Sequence, residues 1–500
     1  MKFRAAVVAL ALFAVASCGE NTAPKVAVAL RVLSPSRISD TIQATFTDPV
    51  TVQVMDAQGH GVAGGVAFFI VSPPESLSQY PIVYFGGSAQ TPDANQYQAY
   101  ADQQGMVRVF LRNGAKAGAF RVEIRVGPAA DSVVVTIRPG APVVVTLAPK
   151  DTAVYVAASY ELTPHLYDRV GNLTPDPVSF TARRATVASS DSNLVQAHAT
   201  GRAYIVVTSG AARDSAAVSV VPQGRILAFT HRIGSGEIAK FVLFDLDGSN
   251  YRVVDTTSFA FNNRGQYFYP DGQSVVFHDV CRPGVLCLFT MTILGVRDTL
   301  VTPTDTILQA TTPQPSRDGA WVYFTAVTGY EQEEIWRVSG TGTGATRISP
   351  VSTTNEWWAS PSPSPDGSQL AVLFASQTGA GLGVMTVATG QIQPIDPGAR
   401  AALRWSPVAD EIAYFGDGGL RVIRADGLLV LGPIATPVDV GWDGSDGQID
   451  WSGDGKWLIA CITGAFSGAR HLTLIDRLTG ELLPLAFTAR DNLCGATWQP

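Results

Sequence analysis

Aspartate returns at fixed intervals in the second half of this chain, each time inside a four-residue phrase: Tyr269-Pro270-Asp271-Gly272, Ser316-Arg317-Asp318-Gly319, Ser364-Pro365-Asp366-Gly367 and Ser452-Gly453-Asp454-Gly455. Recurring carboxylates could serve as acid–base pairs or cation ligands. Here each stands beside a glycine and ahead of an apolar run, so each reads as a turn former that binds the backbone ahead of it. The histidines offer no better centre. His60, His165 and His198 fall at turn or strand positions without sequence partners and read as structural or solvent-facing. His231 and His278 lie seven and six residues after their repeat glycines, so on equivalent strands they face opposite sides and do not form a metal pair; His471 completes the set. Four cysteines, Cys281, Cys287, Cys461 and Cys494, lack the two-residue gap of a zinc knuckle and have no histidine at ligand spacing. Glu331-Gln332-Glu333-Glu334 reads as a solvated acidic loop. In Asn355-Glu356-Trp357-Trp358 the aromatic pair Trp357 and Trp358 would suit sugar or protein recognition if exposed, although a strand end before Pro361 can bury one of them. No serine nucleophile elbow, HExxH, phosphate loop or calcium loop is present. The expectation is therefore no enzyme, no metal and no cofactor.

The elements that position these residues are strands. Aliphatic and aromatic residues make up 46% of the 500 residues and charged ones 15%, with 48 Gly and 31 Pro, an all-β composition. The net charge of −7 and the lack of a basic cluster exclude nucleic acid as a partner. Lys2 and Arg4 followed by the apolar stretch Ala5 to Ala16 form a secretory leader too short to span a bilayer. Its end, Val15-Ala16-Ser17-Cys18, resembles the lipobox of bacterial lipoproteins. That resemblance implies cleavage before Cys18, acylation of Cys18, anchoring to the membrane through the lipid, and, with Gly19 rather than Asp next, an outer-membrane address facing periplasm or cell surface. The mature chain then carries 33 cations against 42 carboxylates, net −9. An even cysteine count in an exported protein predicts disulfides.

After a tether over 19–25, residues 26–139 alternate with period two between turns. The run from Val50 through Asp56, Gly59, Gly64 and Phe68, then Asp102 to Val109 and Ala117 to Ile124, resembles the group 1 bacterial immunoglobulin-like domain of invasins and intimins, with a longer, polar insertion over Pro73–Gln96 that reads as solvated. Residues 141–222, with Gly201-Arg202-Ala203-Tyr204-Ile205 as the late strand, resemble the group 2 bacterial immunoglobulin-like domain. Both families imply β-sandwich spacers or adhesive modules without catalytic residues.

From 223 to 500 the turn phrase repeats. Gly272 to Gly319 is 47 residues and Gly319 to Gly367 is 48, the period of a four-stranded propeller blade. Gly224 with Ile226–Phe229, and Ser406 to Phe415, supply two degenerate copies, which makes six. Trp405, Trp451 and Trp498 recur at spacings of 46 and 47 on the strands before the turns. No turn follows the last, while the first copy lacks this strand, so the C-terminal strand is expected to complete the first sheet and hide two edges. The repeats resemble the TolB family of six-bladed propellers. Blade loop placement then predicts the pairs Cys281–Cys287 and Cys461–Cys494, the second at the closure. The expected architecture is all-β: two immunoglobulin-like sandwiches followed by a six-bladed β-propeller. The expected role is an envelope scaffold or binding protein for a protein or glycan, with a propeller-type polysaccharide lyase or hydrolase as the alternative.

Overall fold

A computed structural model describes residues 25–72, 83–85, 96–230, 239–257, 265–330, 332–353, 356–377, 379–434, 448–463, 470–489 and 493–500. Cys18 with the leader, nearly all of the tether, most of the 73–96 insertion, His231, Glu331 and Asn355 lie outside these residues. The described chain is all-β, and its one helical turn among those residues is the 3-10 segment Ala486–Ala489. It divides into two compact units, residues 1–145 with 165–177 and 209–212, and residues 146–164 with 178–208 and 213–500.

In the first unit, a three-stranded sheet (Ala29–Val32, Val50–Met55, Met106–Val109) and a five-stranded sheet share one apolar core. In the five-stranded sheet, Arg37–Thr41 runs parallel to Ala129–Arg138. Alternation predicts the facing: Val50, Val52 and Val54 are buried while Thr51 and Gln53 are only half-buried. The insertion is not wholly solvated. Its segment Val83–Phe85 pairs with Leu111–Asn113, and Phe85 is buried against Phe69 and Tyr97.

The second unit contains six four-stranded antiparallel sheets, numbered I to VI here by chain order. Sheet I combines Arg225–Thr230, Ala239–Asp245 and Arg252–Thr257 with the C-terminal strand Leu493–Trp498, whose Trp498 faces Ile226 and whose Cys494 faces Phe229. The last strand thus pairs where the repeat arithmetic puts it. Sheets II to VI begin with Tyr267–Phe268, Gln309–Pro315, Trp357–Pro363, Ala399–Trp405 and Ile449–Trp451, and each follows sequence order outward from that first strand.

Neighbouring sheets are glued by separate apolar clusters: Phe229, Phe241 and Phe277 between I and II; Val276, Leu288 and Phe324 between II and III; Tyr323, Trp358 and Leu370 between III and IV. Leu382, Leu403 and Tyr414 join IV to V, Phe415, Ile449 and Leu458 join V to VI, and Ile459, Leu472, Ile226 and Leu493 join VI back to I. Against this last seam, residues of 178–208 and 213–221 dock within the same unit. The Arg184 guanidinium pairs with Glu481, the Arg202 amide donates to Glu481 Oε1 at 3.0 Å, and Ser219 Oγ donates to the Pro484 carbonyl at 3.1 Å.

The turns repeat one chemistry. In sheets III, IV and VI the serine hydroxyl donates to the aspartate two residues on (2.6–2.7 Å) and accepts the amide five residues on at 3.0 Å. Gly272, Gly319, Gly367 and Gly455 hold φ between 64° and 72°, where a side chain is costly. The recurring aspartates are therefore structural.

Both cysteine pairs are bonded, Cys281–Cys287 across the Pro283-Gly284 hairpin and Cys461–Cys494 between sheet VI and the C-terminal strand, with Cα atoms 5.7 and 5.2 Å apart. One expectation fails. Gln332–Ser339 is a strand, not a solvated loop: Glu334 is buried because it accepts the Trp336 indole N–H and the Ser352 amide, both at 3.0 Å. Of the tryptophan pair, Trp358 is the one the strand end buries, 4% exposed inside the III–IV core, so it is not available as a recognition aromatic, while Trp357 stays half-buried.

Deleting residues 495–500 removes the strand that closes the VI–I seam. The melting temperature is expected to fall by at least roughly 10 °C. Replacing Cys461 and Cys494 by alanine, which opens a cross-link spanning 33 residues, is expected to cost about 3 kcal/mol in denaturant unfolding; an unchanged midpoint in either variant contradicts the closure.

Candidate functional site

The residue preceding the aromatic or proline of each first strand occupies one equivalent position in all six sheets: Thr497, Tyr267, Gln314, Ser362, Arg404 and Asp450. Asp450, Thr497, Tyr267, Gln314 and Ser362 are all buried, and the Arg404 side chain is 18% exposed. They form one network. Asp450 Oδ1 accepts Arg404 Nε at 2.7 Å and the Trp451 amide at 2.9 Å, and Oδ2 accepts the Thr497 hydroxyl at 2.7 Å and the Trp498 amide at 2.8 Å. Arg404 Nη1 donates to Gln314 Oε1 at 2.8 Å, and the guanidinium lies 4.1 Å from the centre of the Tyr267 ring. Burial pushes the Tyr267 hydroxyl above its usual range.

Other bonds link each sheet to its neighbour: the Phe268 amide to Thr497 Oγ1 at 3.4 Å, the Thr312 amide to His278 Nδ1 at 3.4 Å, the Ser360 amide to Thr325 Oγ1 at 2.9 Å and the Trp405 amide to Ser362 Oγ at 2.9 Å. Two residues upstream, at another equivalent position, Gly495, Gly265, Thr312, Ser360 and Ala402 all take φ between 47° and 75°, and the first strands of sheets I, III, IV and V bulge there. Three of the five are not glycine, a strain the inter-sheet bonds hold in place.

The turns and the next equivalent position enclose a cavity of about 360 Å³. Its wall carries Phe268, Pro315, Pro363, Trp405, Trp451 and Trp498, one from each sheet, above the Arg404–Asp450 pair, and Arg317 stands exposed at its edge. The Trp451 indole N–H donates to the Arg404 carbonyl at 3.0 Å, whereas the equivalent N–H of Trp405, also buried, meets no acceptor. Trp357 and Trp358 do not line this cavity. Nor does His278, which is buried and engaged by Thr312. Among the described residues no three His, Cys, Asp or Glu side chains converge as a metal site.

Sequence reasoning picked out the recurring tryptophans but missed the network beneath them. The signal was available: Arg404 and Asp450 have opposite charge, stand 46 residues apart and share one repeat position.

No family model and no curated protein matches this chain. Among solved structures it is similar to TolB from Acinetobacter baumannii, with 13% identity and TM-score 0.44 over 65% of this chain and 83% of that one. It is also similar to a putative TolB from Agrobacterium tumefaciens (14%, TM-score 0.38, over 56% and 99%) and to an oligogalacturonate lyase from Vibrio parahaemolyticus (14%, TM-score 0.35, over 55% and 83%).

Asp450→Ala leaves the Arg404 cation half-buried without its partner, and the expected loss is about 3–5 kcal/mol of unfolding free energy by denaturant titration. A second expectation concerns acid. Hydrogen bonds from the Ser316 and Ser364 hydroxyls, with backbone amides, hold Asp318 and Asp366 below the ordinary aspartate value. A depressed folded value means that their contribution is complete above the unfolded pKa and lost as pH falls below it. The melting temperature should therefore drop between about pH 4 and pH 2, and Ser316→Ala with Ser364→Ala should shrink that drop.

Proposed function

We propose that this chain is a lipid-anchored envelope protein in which two immunoglobulin-like modules, over 26–139 and 141–222, carry a six-bladed propeller that binds a protein or glycan at its turn-side mouth. The observation that carries the reading is the cavity, to which every one of the six sheets contributes an aromatic or proline wall. Concave, mostly apolar sites with a few placed polar groups are where propellers and other folds hold ligands. The cyclic order of the seams, with sheet VI packed on sheet I, supports the closed six-bladed reading. Binding is favoured over turnover by the way the ionisable groups are engaged: Asp450 is saturated by four donors and sits against Arg404, which leaves no lone pair poised as a base. The leader ending in Cys18 gives the address, with acylation at Cys18 holding the chain on the membrane.

A photo-crosslinking residue placed at Pro365, on the cavity wall, should trap one discrete envelope component in intact cells. The same residue at Leu478, 76% exposed and away from the cavity, should not. Equal labelling from both positions, or depolymerisation of an envelope or plant polysaccharide by the purified protein, contradicts the reading. Cys18→Ala should move the protein from the membrane to the soluble fraction.

A further inference from the structure

The five-stranded sheet of the first unit packs one face on the core and turns the other outward. Alternation along its strands puts Arg37, Arg121, Arg125 and Arg138 on the outer face, all exposed. The same face holds one carboxylate, Glu123, which pairs with Arg125 at 2.7 Å. The nearest other acids stand on the opposite side of their strands, Asp40 across from Ile137 and Asp131 across from Ile124. Arg37, Arg121 and Arg138 form no ion pair among the described residues. Four guanidinium groups against one carboxylate leave the face with three net positive charges in a chain of net charge −7.

One end of this face also exposes rings. Phe68, 45% exposed, lies between Arg125 and Gln98 in the strand register, and Tyr100, 67% exposed, lies opposite Val66. The chain enters the sandwich at that same end. A Cβ on Gly65, the residue before Val66, would stand 3.4 Å from the Ala27 Cβ, and one on Gly127, just past Arg125, would stand 2.9 Å from the Ala27 carbonyl oxygen. Lys25 and Val26, immediately before, are exposed. From Cys18 to Lys25 is a step of seven residues, at most about 25 Å of extended chain. Anchoring at Cys18 therefore keeps the end that carries Phe68, Tyr100 and Arg125 close to the bilayer.

Resting on the lipid-anchor reading above, we propose that this outer face is a membrane-docking surface: Arg37, Arg121 and Arg125 meet the anionic phospholipid headgroups of the leaflet that holds Cys18, with Phe68 and Tyr100 seated at headgroup level. Guanidinium groups bind phosphate oxygens in pairs. Their attraction to a charged surface fades within a Debye length, so it acts only on a face held near that surface, which the short tether does. Amphipathic rings such as tyrosine settle at the boundary between headgroups and acyl chains. An acidic protein would match the charge of the face, but the bilayer is the one anionic partner that the chain's own anchor brings to it.

The test uses the chain from Gly19 to Pro500, without leader or lipid, so that the face acts alone. It is sedimented with vesicles of phosphatidylcholine, either pure or with about 30% phosphatidylglycerol. The anionic vesicles should bind at least about tenfold more tightly than the neutral ones at about 50 mM salt, and about 500 mM salt should remove most of that difference. Replacing Arg37, Arg121 and Arg125 together by glutamine should weaken binding to the anionic vesicles by about tenfold or more. Replacing Arg183, Arg213 and Arg282 by glutamine removes the same charge from exposed positions elsewhere and should change it by less than about twofold. Phe68→Ser with Tyr100→Ser should weaken it about fivefold, with far-ultraviolet circular dichroism confirming that every variant is folded. Equal binding to the two vesicle types, no binding to either, equal losses in the two arginine triples, or binding of heparin without binding of anionic vesicles would each overturn the proposal. If Cys18→Ala releases the protein from membranes while the vesicles are not distinguished, this inference falls and the anchor reading stands. If the vesicles are distinguished but mass spectrometry finds no lipid on Cys18 of the cellular protein, the anchor reading falls and the face keeps its lipid preference.

Discussion

A carboxylate that is 2% exposed must find hydrogen-bond donors or be destabilising, and Asp450 finds four of them on three different sheets. Its own strand supplies the Trp451 amide, sheet V the Arg404 guanidinium, and the C-terminal strand both the Thr497 hydroxyl and the Trp498 amide. The last two matter most. They tie the chain's final strand, which belongs to sheet I, to sheet VI, so one buried charge fixes the seam that sequence order alone leaves unjoined. The Cys461–Cys494 bond and the apolar cluster of Ile459, Leu472, Ile226 and Leu493 reinforce the same seam from beside it.

The consequences run outward from that node. Arg404, held by Asp450, reaches across to Gln314 of sheet III and covers Tyr267 of sheet II. The interior therefore communicates between sheets that are not neighbours. The strained bulges at Thr312, Ser360 and Ala402 turn the first strands so that the next residues present this polar set inward and the aromatic or proline after it toward the cavity. The serine–aspartate turns then rim the opening. Fold and candidate site are thus one construction, because the wall residues are the immediate neighbours of the residues that hold the sheets together.

Much of this was legible in the sequence because it repeats. The phrases at Asp271, Asp318, Asp366 and Asp454 marked the turns, and the tryptophans at 405, 451 and 498 marked the inner strands. The missing strand before Gly224 and the surplus one at Leu493–Trp498 implied each other, and loop placement on that frame paired all four cysteines correctly. What escaped was whatever depends on approach between distant repeats. Glu334 looks solvated in an acidic run, yet strand pairing turns it inward toward the Trp336 indole and the Ser352 amide. Trp358 and Trp357 are adjacent in sequence and indistinguishable there, but alternation along the strand buries the first and leaves the second half-buried. Arg404 and Asp450 read as ordinary strand residues until their shared repeat position is noticed.

Native-state hydrogen exchange tests the central claim most directly, because it reports which strands open alone and which only with the whole. If Asp450 and the VI–I seam make the six sheets one cooperative body, the amides of Leu493–Trp498 and of Arg225–Thr230 exchange with the same opening free energy as those of sheets III and IV. If the C-terminal strand frays on its own, exchanging several kcal/mol more readily while sheets III and IV stay protected, the seam is not what holds the structure together and the account is wrong.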